Sequence, residues 1–385
     1  MKIENLKLKI LELIKAKNGI SRIDISREFG ITPAAVGKVI NEFLEKKIII
    51  EEREGESTGG RKPSLLNINK DKIGNILGVY FAPTFVQVTI GDIDGNIFST
   101  RRYRLGDLGG DIVGSTEEII EKELTKNKDI EVISVVMNGL VDSERGVSIF
   151  SPHYNTKNIS IVERFQKKFR KKVYLENDVR VMALVEKVFG ECRDNQNFVV
   201  LNVEEGVGGS IYLNDMLYHG YGSMSGELGH MVVKRNSLEK CSCGKRGCLE
   251  TEVSNRAIIK KIMAQIRINN QYSSLKKVLD EGKKLEIKDV LEGVEERDML
   301  SLSVVGEAIQ YIAYALDMII SVINPEKIIL YGEFFQNKYI FKSLLNEIGK
   351  ITLDEQNYQI KRSKFYEKIY EIAPLALGNY LIFKK

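Results

Sequence analysis

The sequence predicts two folds in tandem: a winged helix-turn-helix over residues 1–72 and an α/β fold with mixed sheets over residues 73–385. Three observations lead there. Apolar residues recur at helical spacing three times before residue 45, and a β-prone run, Ile48-Ile49-Ile50, follows. From Ile73 the apolar pattern changes to period two. After that antiparallel start, strands and helices alternate, as α/β domains require.

Ile3, Leu6, Ile10, Leu13 and Ile14 share one face of a first helix that Asn18-Gly19 ends. Ser21 caps a short second helix through Phe29, which stops at Gly30. Thr32-Pro33 sets an N-cap before a proline at the first helical position, where a missing N–H costs nothing. The third helix so opened turns Val36, Val39, Ile40, Phe43 and Leu44 inward. Two short helices around a glycine-containing turn make a helix-turn-helix. Ile48-Ile49-Ile50 and Leu65-Leu66-Asn67-Ile68 then flank a glycine-rich tip, as in a wing hairpin.

The residues this unit leaves outward suit double-stranded DNA. Ser21 opens the second helix, and Thr32, Ala34, Ala35 and Lys38 give the third a small, polar outer face whose backbone can approach base edges. At the tip, Gly59 and Gly60 allow close approach to a groove floor, while Arg61 and Lys62 suit a narrow minor groove or phosphates. A flexible basic linker is the plainer account of the tip. Residues 1–72 hold 15 of the 57 Lys and Arg and 11 of the 53 Asp and Glu, so the whole net charge of +4 lies there. Chance unevenness also explains four charges, but helix-turn-helix, wing and charge agree. One winged helix covers too few base pairs for adequate specificity, so a homodimer on an inverted-repeat operator is expected, with a tetramer as the alternative.

In the second unit, 78–81, 85–90 and 97–104 read as a meander, 111–125 as a helix and 132–137 as a buried strand. Residues 138–142 read as a loop leading to 151–155, followed by a helix at 159–169, a strand at 172–175 and a helix at 179–189. The second half opens with strand 198–203, a turn at 204–209 and strand 210–213. It continues through long helices, including 304–323, to strand 328–331. No internal repeat is apparent. No apolar run reaches ~18 residues, so no membrane span is expected. The N-terminus mixes charges into its apolar positions, unlike a signal peptide, and a cytoplasmic protein is expected. Four cysteines, of which only Cys192 stands apart, suit a reducing compartment better than a disulfide framework.

The stretch Gly226–Glu250 concentrates polar chemistry. His230, Cys241, Cys243 and Cys248 supply one imidazole and three thiolates, a set that closes a tetrahedral structural Zn²⁺ site, one per chain, and leaves no position for substrate water. Small buried cysteines or a redox pair are the alternative. Gly244 and Gly247 give the backbone freedom a metal knuckle needs, and Lys245 and Arg246 do not belong in a core segment. Folding around a metal would gather Glu227, His230 and Glu250, with the free imidazole nitrogen oriented toward a second partner.

Gly-Glu-x-Gly-His at 226–230 followed by Cys-x-Cys-Gly-x-x-Gly-Cys-x-Glu at 241–250 resembles the signature of the ROK family of repressors and sugar kinases. The stretch Thr58-Gly59-Gly60-Arg61-Lys62-Pro63 after a winged helix resembles its repressor branch. The resemblance implies an actin-like, hexokinase-type (ribonuclease H-like) domain of two lobes around a cleft. It places Gly139, Asn155, Asn177, Asp178, Glu227, His230 and Glu250 around a monosaccharide. The family's Ser-Pro-Asn would put Asn where this chain has His153. By spacing alone Asp178 is an N-cap; by resemblance it is the kinases' general base. Their Asp-x-Gly-x-Thr phosphate loop is replaced by Tyr80-Phe81-Ala82-Pro83-Thr84, and a later Gly-Gly by Gly332-Glu333. The expected function is therefore a sugar-responsive DNA-binding repressor of carbohydrate-utilisation genes, and a xylose-type repressor fits. A sugar kinase with an appended DNA-binding domain, or a zinc-stabilised module governed by a protein partner, are the alternatives.

Overall fold

The computed structural model describes residues 3–17, 19–52, 64–151, 153–154, 156–352 and 359–384. The predicted contacts Gly59, Gly60, Arg61, Lys62 and Asn155 lie outside the described residues.

Local chemistry sets the N-terminal helices. After helix Ile3–Lys17, Ser21 caps Arg22–Phe29 by accepting from the Asp24 N–H, and Gly30 closes that helix in the left-handed region, φ 61°. Thr32 accepts from the Ala35 N–H and Pro33 opens helix Pro33–Glu45. Ile10, Ile14, Ile25, Val36, Ile40 and Leu66 are fully buried where the three helices meet the hairpin Ile49–Glu52/Leu65–Ile68. A short helix, Lys70–Ile73, leads into the next unit.

The first lobe is a five-stranded sheet. Asn75–Ala82 pairs antiparallel with Phe85–Gly91, which pairs antiparallel with Ile97–Arg104. On its other side Asn75–Ala82 runs parallel to Ile130–Met137, which runs parallel to Lys172–Asn177. The second lobe repeats this order with Phe198–Val203 at the centre. Val207–Leu213 and Met216–Leu217 lie antiparallel on one side, Lys327–Tyr331 and Gln359–Arg362 parallel on the other. The fold thus contains a repeat of topology that the sequence conceals.

Helix Asp178–Val188 touches strands of both sheets. The C-terminal helix Ile369–Lys384 returns from the second lobe to cover the first sheet, with Pro374 seated over Gly78, where a Cβ would fall 2.4 Å from the Pro374 Cβ. Helices Ile112–Lys126 and Ile161–Phe169 cover the opposite face of the first sheet, burying Val113, Ile120, Ile161 and Phe165.

Several expectations need revision. The stretch 138–155 is not a plain loop: Leu140–Asp142, Val147–Ser151 and Thr156–Ile159 form a small antiparallel sheet. The helix expected at 304 begins at Met299, capped by Asp298. At Met299–Ile323 it is also long and apolar enough to cross a membrane, despite Glu307 and Asp317, but Leu300, Val305, Ala308, Ile312 and Leu316 bury it in the second lobe's core. The strand expected at 210 begins at Val207, so its glycines lie inside a strand rather than a turn.

Candidate functional site

Glycines seat the site on the strand Val207–Leu213. A Cβ on Gly226, φ 84°, would fall 2.3 Å from the Gly209 carbonyl oxygen, and one on Gly229 2.1 Å from that of Val207. Only glycine lets the segment Glu227–His230 lie this close to the strand. The chain then folds through Lys240–Arg246 and returns, with Val232 and Cys248 bridged, into helix Leu249–Val253. Gly247, φ 70°, leaves no room for a Cβ beside the Lys234 carbonyl.

This path gathers His230, Cys241, Cys243 and Cys248 so that one ligand atom from each lies within 4.8 Å of the others. Cys241 Sγ is 3.4 Å from His230 Nδ1, and Cys243 Sγ is 3.6 Å from Cys248 Sγ. A tetrahedron with metal–sulfur bonds of about 2.3 Å has edges of about 3.8 Å, so the four donors fit a tetrahedral ion with little movement. Burial and the neighbouring thiols push Cys248 up to about 12, a crowding that a cation would relieve. His230 turns its other nitrogen, Nε2, toward Glu227, 3.8 Å away. The four residues can therefore hold a metal.

Glu250 follows the last cysteine by two positions, and its carboxylate accepts from the Val207 N–H at 3.3 Å. On the facing lobe, Asn177 caps helix Asp178–Val188, and its Nδ2 donates to the Gly139 carbonyl and to Asp178, both at 2.9 Å. Gly139, φ 93°, lies against the Phe150 carbonyl where a Cβ would fall at 2.3 Å. Burial pushes Asp178 up to about 6, against the Val179 N–H and the Asn177 amide that hold its anion. Gly208 brings the halves together, since a Cβ there would sit 2.9 Å from Val179 Cγ2.

Three residues beside this cleft escaped sequence reasoning. Glu176 accepts from the Asn177 N–H at 2.8 Å, pairs with Arg180 at 3.3 Å, and bonds His219 Nε2 of the second lobe at 2.7 Å. Although burial opposes it, the His219 bond and the Arg180 guanidinium hold the Glu176 carboxyl below the usual range. Arg180 also donates to the carbonyls of Val141 and, at 3.5 Å, Ser223. The available signal was His219, one of only three histidines, left without an assignment.

Two further groups of side chains pack near the end of the second lobe's strand Lys327–Tyr331 and near the hairpin of the first sheet. Glu204 accepts from the Glu333 N–H at 2.9 Å, and Asn255 and Tyr366 also bond its carboxylate. Near the hairpin 80–85, Tyr370 packs edge-on against Tyr80 and Phe85 with centroids 5.0 Å apart, and the Arg102 guanidinium lies 4.0 Å from the Phe85 centroid.

On the winged helix, Thr32, Ala34, Ala35 and Lys38 are exposed together. Ser21 is only 8% exposed, and its hydroxyl donates to the Asp24 carboxylate at 2.6 Å while capping the helix.

The ROK family model matches residues 76–374. The chain belongs to the ROK family. A second model, winged helix-turn-helix DNA-binding, matches residues 3–50. Among curated ROK-like relatives, the xylose repressor of Bacillus subtilis (strain 168) is 26% identical over 384 residues, covering 97% of this chain and 91% of that protein. The DNA-binding transcriptional dual regulator NagC of Escherichia coli (strain K12) is 27% identical over 329 residues, covering 84% and 79%. Among solved structures, a ROK family transcriptional regulator described as a homolog of the E. coli MLC protein superposes with a TM-score of 0.84 at 26% identity, covering 99% of this chain and 97% of that one. A ROK family glucokinase from Streptomyces griseus, solved with glucose and AMPPNP, gives 0.66 at 20% identity over 79% and 98%, a likeness of fold.

Proposed function

We propose that this ROK protein is a sugar-responsive transcriptional repressor. Residues 1–72 bind operator DNA, and residues 73–385 bind a monosaccharide between the lobes. What supports the reading is that Val179, beside Asn177 and Asp178, packs on Gly208, that Glu250 bonds the adjacent Val207 N–H and that Glu227 pairs with His230, in a chain that also presents the exposed face Thr32, Ala34, Ala35 and Lys38. Three relatives matched over 96–97% of this chain are xylose repressors, so a xylose-type effector is the first to test. Gly139 and Asn155 complete the proposed sugar pocket. Zn²⁺ is the ion proposed for the His-Cys₃ cluster, because imidazole and thiolate in a closed tetrahedral set suit it best. When bound, it would fix the loop between Glu227 and Glu250 and leave His230 Nε2 free to donate.

DNA contact is assigned to Thr32, Ala34, Ala35 and Lys38 in the major groove and to Gly59, Gly60, Arg61 and Lys62 at the wing, on a homodimer facing an inverted repeat. Work on an operator implies a cytoplasmic protein. Phosphoryl transfer is not part of the reading. The Glu333 N–H, where a nucleotide phosphate would seek a donor, already serves Glu204, and a second anion there would be repelled.

One observation favours a second reading, a sugar kinase with an appended DNA-binding domain: a carboxyl at about 6 suits a general base at Asp178. A thermal-shift screen against monosaccharides separates the two. Sugar binding adds about 2.7 kcal/mol of stability at a hundredfold excess over Kd in either case, and incubation with ATP and Mg²⁺ then yields sugar phosphate only from a kinase.

A further inference from the structure

One helix joins the proposed effector pocket to the DNA-binding unit. Asp178–Val188 starts at the residue that would meet the sugar and spans about 16 Å at 1.5 Å per residue. It touches both sheets, so any change in the angle between the lobes would displace it relative to one of them. Its Glu186 accepts from the Tyr331 hydroxyl of the second lobe at 2.7 Å, which fixes the helix there.

At the far end, Lys187 is 8% exposed and donates to the carbonyls of Arg193 and Asn195 and to Asp215 Oδ1 at 3.2 Å. The other oxygen of Asp215 lies 3.3 Å from Lys9 Nζ, on the first helix of the DNA-binding unit. The next residue after the helix, Phe189, forms one wall around Lys15 of that same first helix. Lys15 Nζ is 5.7 Å from the Phe189 ring centroid and 5.7 Å from that of Phe383, and it donates to the Ile93 carbonyl at 3.1 Å. Two lysines of the DNA-binding unit are therefore held at the end of a helix whose beginning faces the pocket.

We propose that helix Asp178–Val188 transmits sugar binding to the DNA-binding unit through Lys9 and Lys15, which act as positioning residues at its C-terminal end. The proposal rests on the sugar-responsive reading above. Among the described residues, no hydrogen bond, ion pair or ring contact joins either lysine to a residue of the proposed pocket or DNA face. Methionine keeps the length and apolar stem of each lysine and removes its cation, and Asp215 keeps Lys187 while Ile93 keeps the Asn379 amide, so the fold retains its partners.

The test uses full-length protein and an operator selected by the wild type from a random-sequence pool. Operator affinity is measured with and without saturating sugar, and sugar affinity by thermal shift, for the wild type, Lys9→Met/Lys15→Met and Lys9→Arg. Expected is a double variant whose sugar affinity stays within about twofold of wild type while its operator-affinity ratio with and without sugar falls to near one. Lys9→Arg should retain the response. A double variant that binds sugar and still responds like the wild type overturns the proposal, as does one that loses sugar affinity. A wild type that no sugar stabilises overturns the functional reading and this proposal with it, an outcome recognisable from the wild-type arm alone.

Discussion

Glu204 places a carboxylate oxygen 2.9 Å from the backbone nitrogen of Glu333, at the start of the helix Glu333–Gln336 that follows the strand Lys327–Tyr331 of the second lobe. That N–H is satisfied within the chain, so an anion placed there would meet the Glu204 carboxylate. Burial pushes Glu204 upward, while that N–H and the Tyr366 hydroxyl hold its anion.

The first prediction concerns this part of the second lobe. ATP with Mg²⁺ should leave the melting temperature unchanged, and no sugar phosphate should form with any sugar that stabilises the protein. Turnover abolished by Asp178→Ala would show the chain to be an enzyme.

Metal should be a folding element. Cys241→Ser or Cys248→Ser removes a thiolate from the cluster, and elemental analysis of protein purified without chelator should fall from one zinc per chain toward none. The melting temperature should drop by more than about 5 °C. Sugar affinity should fall as well, because the same loop sets Glu227, His230 and Glu250. Wild-type protein without stoichiometric zinc would end this assignment.

Asp178 gives the pH dependence. Its carboxyl is raised to about 6 from an ordinary 3.8, so the folded protein takes up the proton first as pH falls. The burial penalty on its anion is in force above pH 6 and relieved by protonation between about 6 and 3.8, so this group favours the fold increasingly over that window. The carboxylate accepts from a sugar hydroxyl more strongly than the neutral acid does. Affinity should therefore weaken below about pH 6, and Asp178→Ala should cost about 1.5–3 kcal/mol of binding at neutral pH. Calorimetric titration at about pH 5 and about pH 7.5 checks both; equal affinities at the two values would remove Asp178 from the pocket.

At the DNA face, Lys38→Ala should weaken operator binding at every salt concentration without altering sugar affinity. Arg61→Ala with Lys62→Ala should lower the slope of log K against log salt by about two, at roughly 0.9 for each phosphate left without its cation. An unchanged slope would take the wing tip out of the interface.

How far the sequence reveals this structure depends on the range of the interactions. The caps at Ser21 and Thr32 and the closing Gly30 are bonds within a few residues, and the sequence displays them, whereas the cap expected at Asp178 falls one residue earlier, on Asn177, which accepts from the Arg180 N–H. The His-Cys₃ cluster is nearly as local, spanning 230–248. The repeated strand order is not, because parallel pairs such as Leu201 with Leu330 join distant segments whose side chains need only be apolar. Short strands such as Leu140–Asp142 carry too few apolar residues to set a period. Pro374 argues against a helix until Gly78 is seen beneath it and Ser134 Oγ donates to its carbonyl at 2.6 Å. Glu176 and His219 were visible as residues, but their 2.7 Å bond exists only once two lobes meet.

A sugar held between the lobes is proposed to govern operator binding. The most direct measurement is the affinity of the full-length protein for its selected operator as each stabilising monosaccharide is titrated in. At least one sugar should raise the melting temperature and change operator affinity by about fivefold or more, the lower range for coupling between two sites. Operator affinity unmoved by saturating amounts of every stabilising sugar would contradict it.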